Sequence, residues 1–251
     1  INTAEKIIHI TKWKSIAAIA ILLLAIGILA RYNSKGIIVF NSYTTYITTD
    51  SIKNIILSDG SKIWLNKNSE IKVPESYKNR IVYLKGEAYF EIARDSLKPF
   101  LVKTNHTTTK VLGTSFNVLN TNNRDIISLL TGKIELYANN QKRKSIILNP
   151  GDKTCYYEEN NQITKSRFDN KNFIAWKTGE ITFKNTPLSS VLSTIANYYD
   201  LNFSNNIKDN KKYTLTANFS NQPLEKVISI LELTWNVDIS IENNTIYISL
   251  N

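Results

Sequence analysis

The sequence predicts two folded parts behind one N-terminal membrane helix. The first is an all-β domain, sandwich or solenoid-like, and the second a small α+β domain of two β-α-β repeats. Three observations predict this. Residues 36–157 break into short apolar or alternating runs separated by Asp-Gly and Asn-Asn pairs, a block near the C-terminus recurs with an offset of 36 residues, and a fifteen-residue apolar run stands near the N-terminus.

The apolar run is Ile16 to Ala30, with Ile16, Leu22, Leu23, Leu24 and Leu29 among its members. At about 1.5 Å per residue it reaches roughly 23 Å, short of a hydrocarbon core near 30 Å. The predicted span is therefore 15–31, helped by the interfacial Trp13 and Tyr32 and by Lys12, Lys14 and Arg31, which can snorkel. A signal-peptide core competes, because the run is only slightly longer than such a core, and a buried core helix is the third reading. Lys6, Lys12 and Lys14 precede the run and Arg31 and Lys35 follow it, a slight excess that favours a cytoplasmic N-terminal side. The chain opens on Ile1, so the natural start is expected upstream, unless a tag was removed. Residues 1–14 are then a truncated cytoplasmic flank. Residues 32–51, rich in Ser, Thr, Tyr and Asn, are expected to be an extended, accessible juxtamembrane segment.

Between 52 and 157 the runs Ile52–Leu57, Ile63–Leu65, Ile81–Leu84, Ala88–Ile92, Phe100–Lys103, Lys110–Leu112, Ser115–Leu119, Ile126–Leu130, Lys133–Tyr137 and Ser145–Leu148 have strand length and no helical period. Asp59-Gly60, Asn122-Asn123, Asn139-Asn140 and Asn160-Asn161 are turn pairs, since Asn and Gly tolerate positive φ. Residues 158–175 are polar and read as a linker or a peripheral hairpin.

The repeat covers 176–251. Phe183, Pro187, Leu188, Val191, Leu192, Ile195 and Tyr199 match Phe219, Pro223, Leu224, Val227, Ile228, Leu231 and Trp235. Spacing of i, i+3, i+4, i+7 after each proline predicts one buried helix face, with the proline in the first turn, where no N–H is needed. Alternating flanks make each unit β-α-β, and Asn243-Asn244 predicts a closing hairpin.

The chemistry-bearing residues are few. The net charge of +10 comes from dispersed lysines, and the densest run, Lys142-Arg143-Lys144, is too short for a nucleic-acid arm. The single Cys155 can form no internal disulfide, and His9 and His106 are the only histidines, so neither a metal cluster nor a thiol–imidazole pair is predicted, and no cofactor. Asp59-Gly60-Ser61 reads as a hairpin turn, Gly113 and Gly132 as turn or bulge glycines, and Trp64, Tyr89 and Phe90 as core. Glu87 and Glu91 share one strand face. A carboxylate pair motivates the alternative of an envelope-anchored carbohydrate-binding or carbohydrate-active protein, but nothing else in the sequence supports an enzyme.

An ordered set of strings, Asp59-Gly60-Ser61, Trp64-Leu65-Asn66, Gly86-Glu87-Ala88-Tyr89-Phe90-Glu91, Pro99-Phe100, Val111 to Val118 with Gly113 and Phe116, Leu129 with Gly132, and Leu148 with Pro150-Gly151, resembles the FecR-type domain. Residues 176–250 resemble the C-terminal domain of Bacteroidetes-type members, itself similar to the short domain that opens secretins and TonB-dependent receptors. The resemblance implies an anti-sigma factor in the inner membrane with its bulk in the periplasm. It further implies an extracytoplasmic-function sigma factor, bound through a region N-terminal to this chain, and contact with the periplasmic signalling domain of a TonB-dependent transporter. Exposed strand edges around Tyr213, Leu215, Thr245 and Tyr247 are the candidate contact points.

Overall fold

A computed structural model describes residues 18–28, 31, 42–76, 79–140, 145–204 and 213–250. The chain divides into two compact units, Ile1–Ser42 and Tyr43–Asn251. In the first unit residues 18–28 form a helix, α1, on which Ile19, Ile21, Leu22, Leu23, Leu24, Ile26 and Ile28 are 54–70% exposed. Ile16 and Leu29 lie outside the described residues. Among the described residues no helix is long and apolar enough to cross a membrane.

The second unit begins with a thirteen-stranded curled sheet. Its strands are β1 (Tyr43–Ile47), β2 (Lys53–Ile56), β3 (Lys62–Leu65), β4 (Glu70–Pro74), β5 (Ile81–Glu91), β6 (Phe100–Lys103), β7 (Thr107–Val111), β8 (Ser115–Asn120), β9 (Arg124–Thr131), β10 (Ile134–Ala138), β11 (Ser145–Leu148), β12 (Asp152–Tyr157) and β13 (Gln162–Arg167). β5 organises them. Its first half pairs with β4 and β6, and its second half with β3 and β8. Two strand series thus leave one strand, β1-β4 with β6-β7-β10-β11 on one side of the curl and β2-β3 with β8-β9-β12-β13 on the other.

Alternation fills the inside of the curl. Val82, Leu84, Ala88 and Phe90 of β5 are buried with Ile71, Phe100, Val102, Ile134 and Leu136 from one half and Ile63, Leu65, Phe116, Ile127 and Leu129 from the other. Phe90 stacks on Phe116 at 5.0 Å and meets Phe100 edge-on at 6.4 Å. Among the described residues only β5–β6 pairs parallel in this sheet, so these strands do not form a stack of parallel coils. Gly86 sits where β5 passes between the halves, at φ +87°. A Cβ there would lie 2.8 Å from the Cα of Ser69, so both the backbone and the close approach require glycine.

The segment 43–47 forms β1, paired antiparallel to β4, and the buried Thr48 hydroxyl bonds the Ser69 carbonyl at 3.0 Å. Residues 162–167 form β13 against β12. The turn pairs Asp59-Gly60, Asn122-Asn123 and Asn160-Asn161 fall between consecutive strands.

A 3-10 turn (Asn172–Ile174) and a short helix α2 (Ala175–Thr178) lead into the repeats. The first repeat is β14 (Glu180–Pro187), α3 (Leu188–Tyr198) and β15 (Asn202–Phe203), and the second is β16 (Thr214–Ser220), α4 (Leu224–Trp235) and β17 (Val237–Glu242). A last strand, β18 (Thr245–Leu250), follows the turn at Asn243 and Asn244, both at positive φ. β14 pairs with β16, and β15-β18-β17 make a second small sheet. The apolar faces of α3 and α4 close one core with Ile181, Phe183, Leu215, Phe219 and Ile246. The repeat is visible atom by atom: Phe183 meets Phe219 at 6.2 Å, Thr182 bonds Asn218, and Asn185 and Asn221 share φ 47°. One detail differs from expectation. Pro187 and Pro223 have ψ of 149° and 151°, so they are extended residues capping the helices, and the first turn begins one residue later.

Candidate functional site

The outward face of β5 carries the odd-numbered residues Glu87, Tyr89 and Glu91, and Trp64 of β3 lies directly opposite Tyr89. On an isolated sheet this row would face water. Here α2 covers it with two consecutive side chains, Trp176 and Lys177. The Lys177 ammonium lies 4.1 Å from the Trp64 ring centroid and 4.7 Å from that of Tyr89, and 3.9 Å from Glu91 Oε1. The two rings are tilted 56° to each other at 5.7 Å and form a half-open cage for the cation. Tyr89 is only 5% exposed, yet it lies outside the β-domain core. Trp64 and Tyr89, expected as core, are covered instead by the following domain. Phe90, on the inward face, is the core residue of that string.

Glu87 is the deepest charged member of the row. Asn66 Nδ2 donates to Oε2 at 2.8 Å and Asn117 Nδ2 to Oε1 at 2.7 Å, so both carboxylate oxygens are held by amides. Burial pushes its pKa above the usual glutamate value, while Asn117, Asn66 and, more weakly, the Trp176 indole pull against it. The Trp176 N–H is buried on this side without reaching hydrogen-bond geometry, and Asn117 Oδ1 is likewise unpaired. A cleft of about 680 Å³ opens beside this cluster, lined by Asn66, Glu87 and Asn117 on the β side and by Phe173, Trp176 and Tyr198 on the other. At its rim Lys67 bonds Asp200 at 2.6 Å.

This arrangement separates the two glutamates. They are four residues apart on one strand, about 13 Å of backbone at roughly 3.3 Å per residue, with Tyr89 between. Glycoside hydrolysis places its two carboxyl groups about 5–9.5 Å apart. Glu87 is held by two amides and Glu91 lies beside Lys177, so the two carboxylates are committed to different partners.

Most of the remaining motif residues build turns or core. Asp59 accepts from the Ser61 N–H at 2.9 Å and from Arg80 Nε at 2.7 Å. Burial raises its pKa, but the Ser61 and Arg80 contacts outweigh this and leave it below the usual aspartate value. Arg80, itself buried, gives its other nitrogens to the carbonyls of Lys98 and Ala93, each at 2.7 Å. The sequence pointed to Asp59-Gly60 and missed Arg80, since a lone arginine before a strand carries no pattern. Gly113 and Gly132 lie against each other, and Pro150-Gly151 turns β11 into β12, with the Gly151 N–H bonding the Leu129 carbonyl at 2.9 Å. His106 stacks on Tyr156, and among the described residues no group of three or more His, Cys, Asp and Glu is placed to hold a metal.

The candidate edges differ from one another. Leu215 is buried in the repeat core, and the Tyr213 carbonyl accepts the Leu188 N–H. Thr245 is not at an edge: β18 is the middle strand of its sheet, and parallel β15 pairs Asn202 with Thr245 while β17 pairs Glu242 with it. Tyr247 lies beyond the two-residue reach of β15.

The family described as FecR protein matches residues 44–135, and the one described as FecR, C-terminal, matches residues 180–248. The chain belongs to the FecR family. Two crystal structures, at 2.50 Å and 1.65 Å, of a candidate anti-sigma factor from Parabacteroides distasonis superpose on it with a TM-score of 0.63 at 26% identity. They cover 84% and 83% of this chain and 100% and 99% of theirs. No curated protein matches. Within the FecR frame Trp64, Glu87, Tyr89 and Glu91 fall inside the first matched segment, whereas Trp176 and Lys177 lie between the two segments.

Proposed function

We propose that this FecR-family chain regulates a sigma factor as a single-pass inner-membrane sensor with its folded bulk in the periplasm. It relays the state of a TonB-dependent outer-membrane transporter to an extracytoplasmic-function sigma factor by protein–protein contact. One observation carries the reading: a FecR segment and a FecR C-terminal segment stand in order on one chain, on a curled β domain and a two-repeat domain, and the similar Parabacteroides protein is described as a candidate anti-sigma factor. The exposed apolar side chains of α1 support the membrane anchor. The Lys177 cage supports the relay, because it ties the outer domain to the strand that runs through the whole β domain.

Two measurements test this. Fractionation and reporter fusions should place the chain in the inner membrane with residues 43–251 outside the cytoplasm. A sigma-dependent reporter should respond to the transporter's substrate only when the chain is intact. A native chain recovered in the soluble cytosol, or a reporter indifferent to its deletion, would end the proposal.

A further inference from the structure

The two-stranded sheet of the repeat domain has two outward edges, and they are built differently. Along β14 the outward N–H groups are closed by side chains of the same chain. Glu180 N–H donates to the Thr178 hydroxyl at 3.2 Å and Lys184 N–H to the Thr186 hydroxyl at 3.1 Å. Thr182 N–H donates to Asn172 Oδ1 at 2.8 Å, while Asn172 Nδ2 donates to the Thr182 carbonyl at 2.9 Å. The Asn172 amide thus copies a neighbouring strand residue and blocks that edge.

Along β16 the outward edge is open among the described residues. Asn218 lies opposite Thr182, whose backbone turns away to Asn172, so the Asn218 backbone turns the other way, and that of Thr216 with it. Both residues are exposed. Their side chains are tied back toward β14, through the Asn185 N–H to Thr216 Oγ1 and Thr182 Oγ1 to Asn218 Oδ1. Among the described residues nothing bonds the backbone N–H or C=O of either. The flanking carbonyls are occupied, Thr214 by the Trp235 indole at 3.0 Å and Ser220 by Gln222 at 2.9 Å. The open stretch is therefore bounded, two outward residues long, with donors and acceptors in ladder order.

We propose that β16 is a docking strand, and that Thr216 and Asn218 pair backbone to backbone with an extended segment of a partner protein. The occupant follows from the chemistry of the edge: alternating amide donors and acceptors match another strand. Leu215 and Phe219 are buried on the helix side while Thr216 and Asn218 face out, so the fitting segment alternates apolar and polar residues. This rests on the reading that the repeat domain contacts a partner protein.

Thr216→Pro removes one outward donor and crowds the edge, and proline is tolerated where a strand N–H faces solvent. The full chain and this variant, both checked for an unchanged thermal midpoint, are screened against displayed random heptapeptides. The expected result is a set of peptides with alternating pattern that bind the native chain and lose at least about tenfold in affinity on Thr216→Pro. On peptide addition the amides of Thr216 and Asn218 should slow in hydrogen exchange while that of Thr182 does not change. If Thr216→Pro fails to fold, Asn218→Pro and the exchange measurement decide. No selected peptide, equal binding to both chains, or unchanged exchange at 216 and 218 would overturn the proposal, as would concentration-dependent self-association through this edge, which makes the occupant a second copy. If a transporter signalling domain binds native chain and variant equally, the docking strand fails and the partner reading survives. Variant-sensitive peptides without transporter binding give the converse.

Discussion

Replacing Lys177 by methionine keeps the side-chain length and removes the charge from the Trp64–Tyr89 cage. The ammonium is within about 5 Å of both ring centroids, and the side chain is 20% exposed, so it is largely but not fully desolvated. A cation over one ring is worth about 0.5–1 kcal/mol at the surface and about 2 when desolvated. The Glu91 contact, at 3.9 Å with a 41% exposed carboxylate, adds little. The expected loss is about 1–2 kcal/mol of docking between the domains, which raises the undocked fraction by roughly 5- to 30-fold. Nitroxides at Ile56→Cys and Leu233→Cys, both exposed positions, in a Cys155→Ala background report the distance between the domains. Lys177→Met should add a long-distance population, Lys177→Arg should largely restore the docked one, and a double-mutant cycle with Trp64→Leu should show coupling of about 1 kcal/mol. Unchanged distances together with zero coupling would refute the cage as the link.

Glu87→Ala strands the Asn66 and Asn117 amides and should lower stability by about 2–4 kcal/mol in urea titration, whereas Glu87→Gln, which can pair with Asn66 and with a reversed Asn117, should stay within about 1 kcal/mol. Equal losses in the two variants would count against the amide clamp. Arg80→Met leaves the Asp59 carboxylate and two carbonyls without their donor and should cost about 3–5 kcal/mol, with no restoration by Arg80→Lys. Stability should also depend on pH in two opposite ways. Asp59 and Asp152 have lowered folded values, Asp152 chiefly through Lys165 and then the Asn149 N–H, so their contribution is complete above the unfolded aspartate value near 3.9 and is lost as pH falls through the lower folded values. Glu87 has a raised folded value, so the folded chain holds a proton the unfolded chain has released, and stability falls as pH rises from about 4.3 through that value. Asp152→Asn should flatten the acid limb and Glu87→Gln the second one; profiles that coincide with the parent's would contradict both assignments.

The repeat domain was legible because its apolar spacing and paired prolines recur over one register, and a helix that buries one face declares its period. Most hairpin turns were legible from Asn and Gly pairs. What stayed hidden is non-local. Alternation in Gly86–Glu91 separates two faces but cannot say whether the outward one meets water or another domain, so it does not reveal that α2 is what covers Trp64 and Tyr89. Trp176 and Lys177 sit in a four-residue helix with no periodic signal. β1 is Tyr- and Thr-rich and reads as surface until β4 pairs with it. β18 reads as a terminal edge strand, and only the parallel return of two residues, Asn202 and Phe203, makes it central.

β5 is hydrogen-bonded to β4 and β6 along its first half and to β3 and β8 along its second. Its outward face is also the seat of Lys177. A tug on the repeat domain along this strand is therefore met by four ladders loaded in shear, so no single hydrogen bond can be peeled ahead of the others. The β domain is stiff along β5, and a pull applied at one end of that strand arrives at its other end with little absorbed on the way.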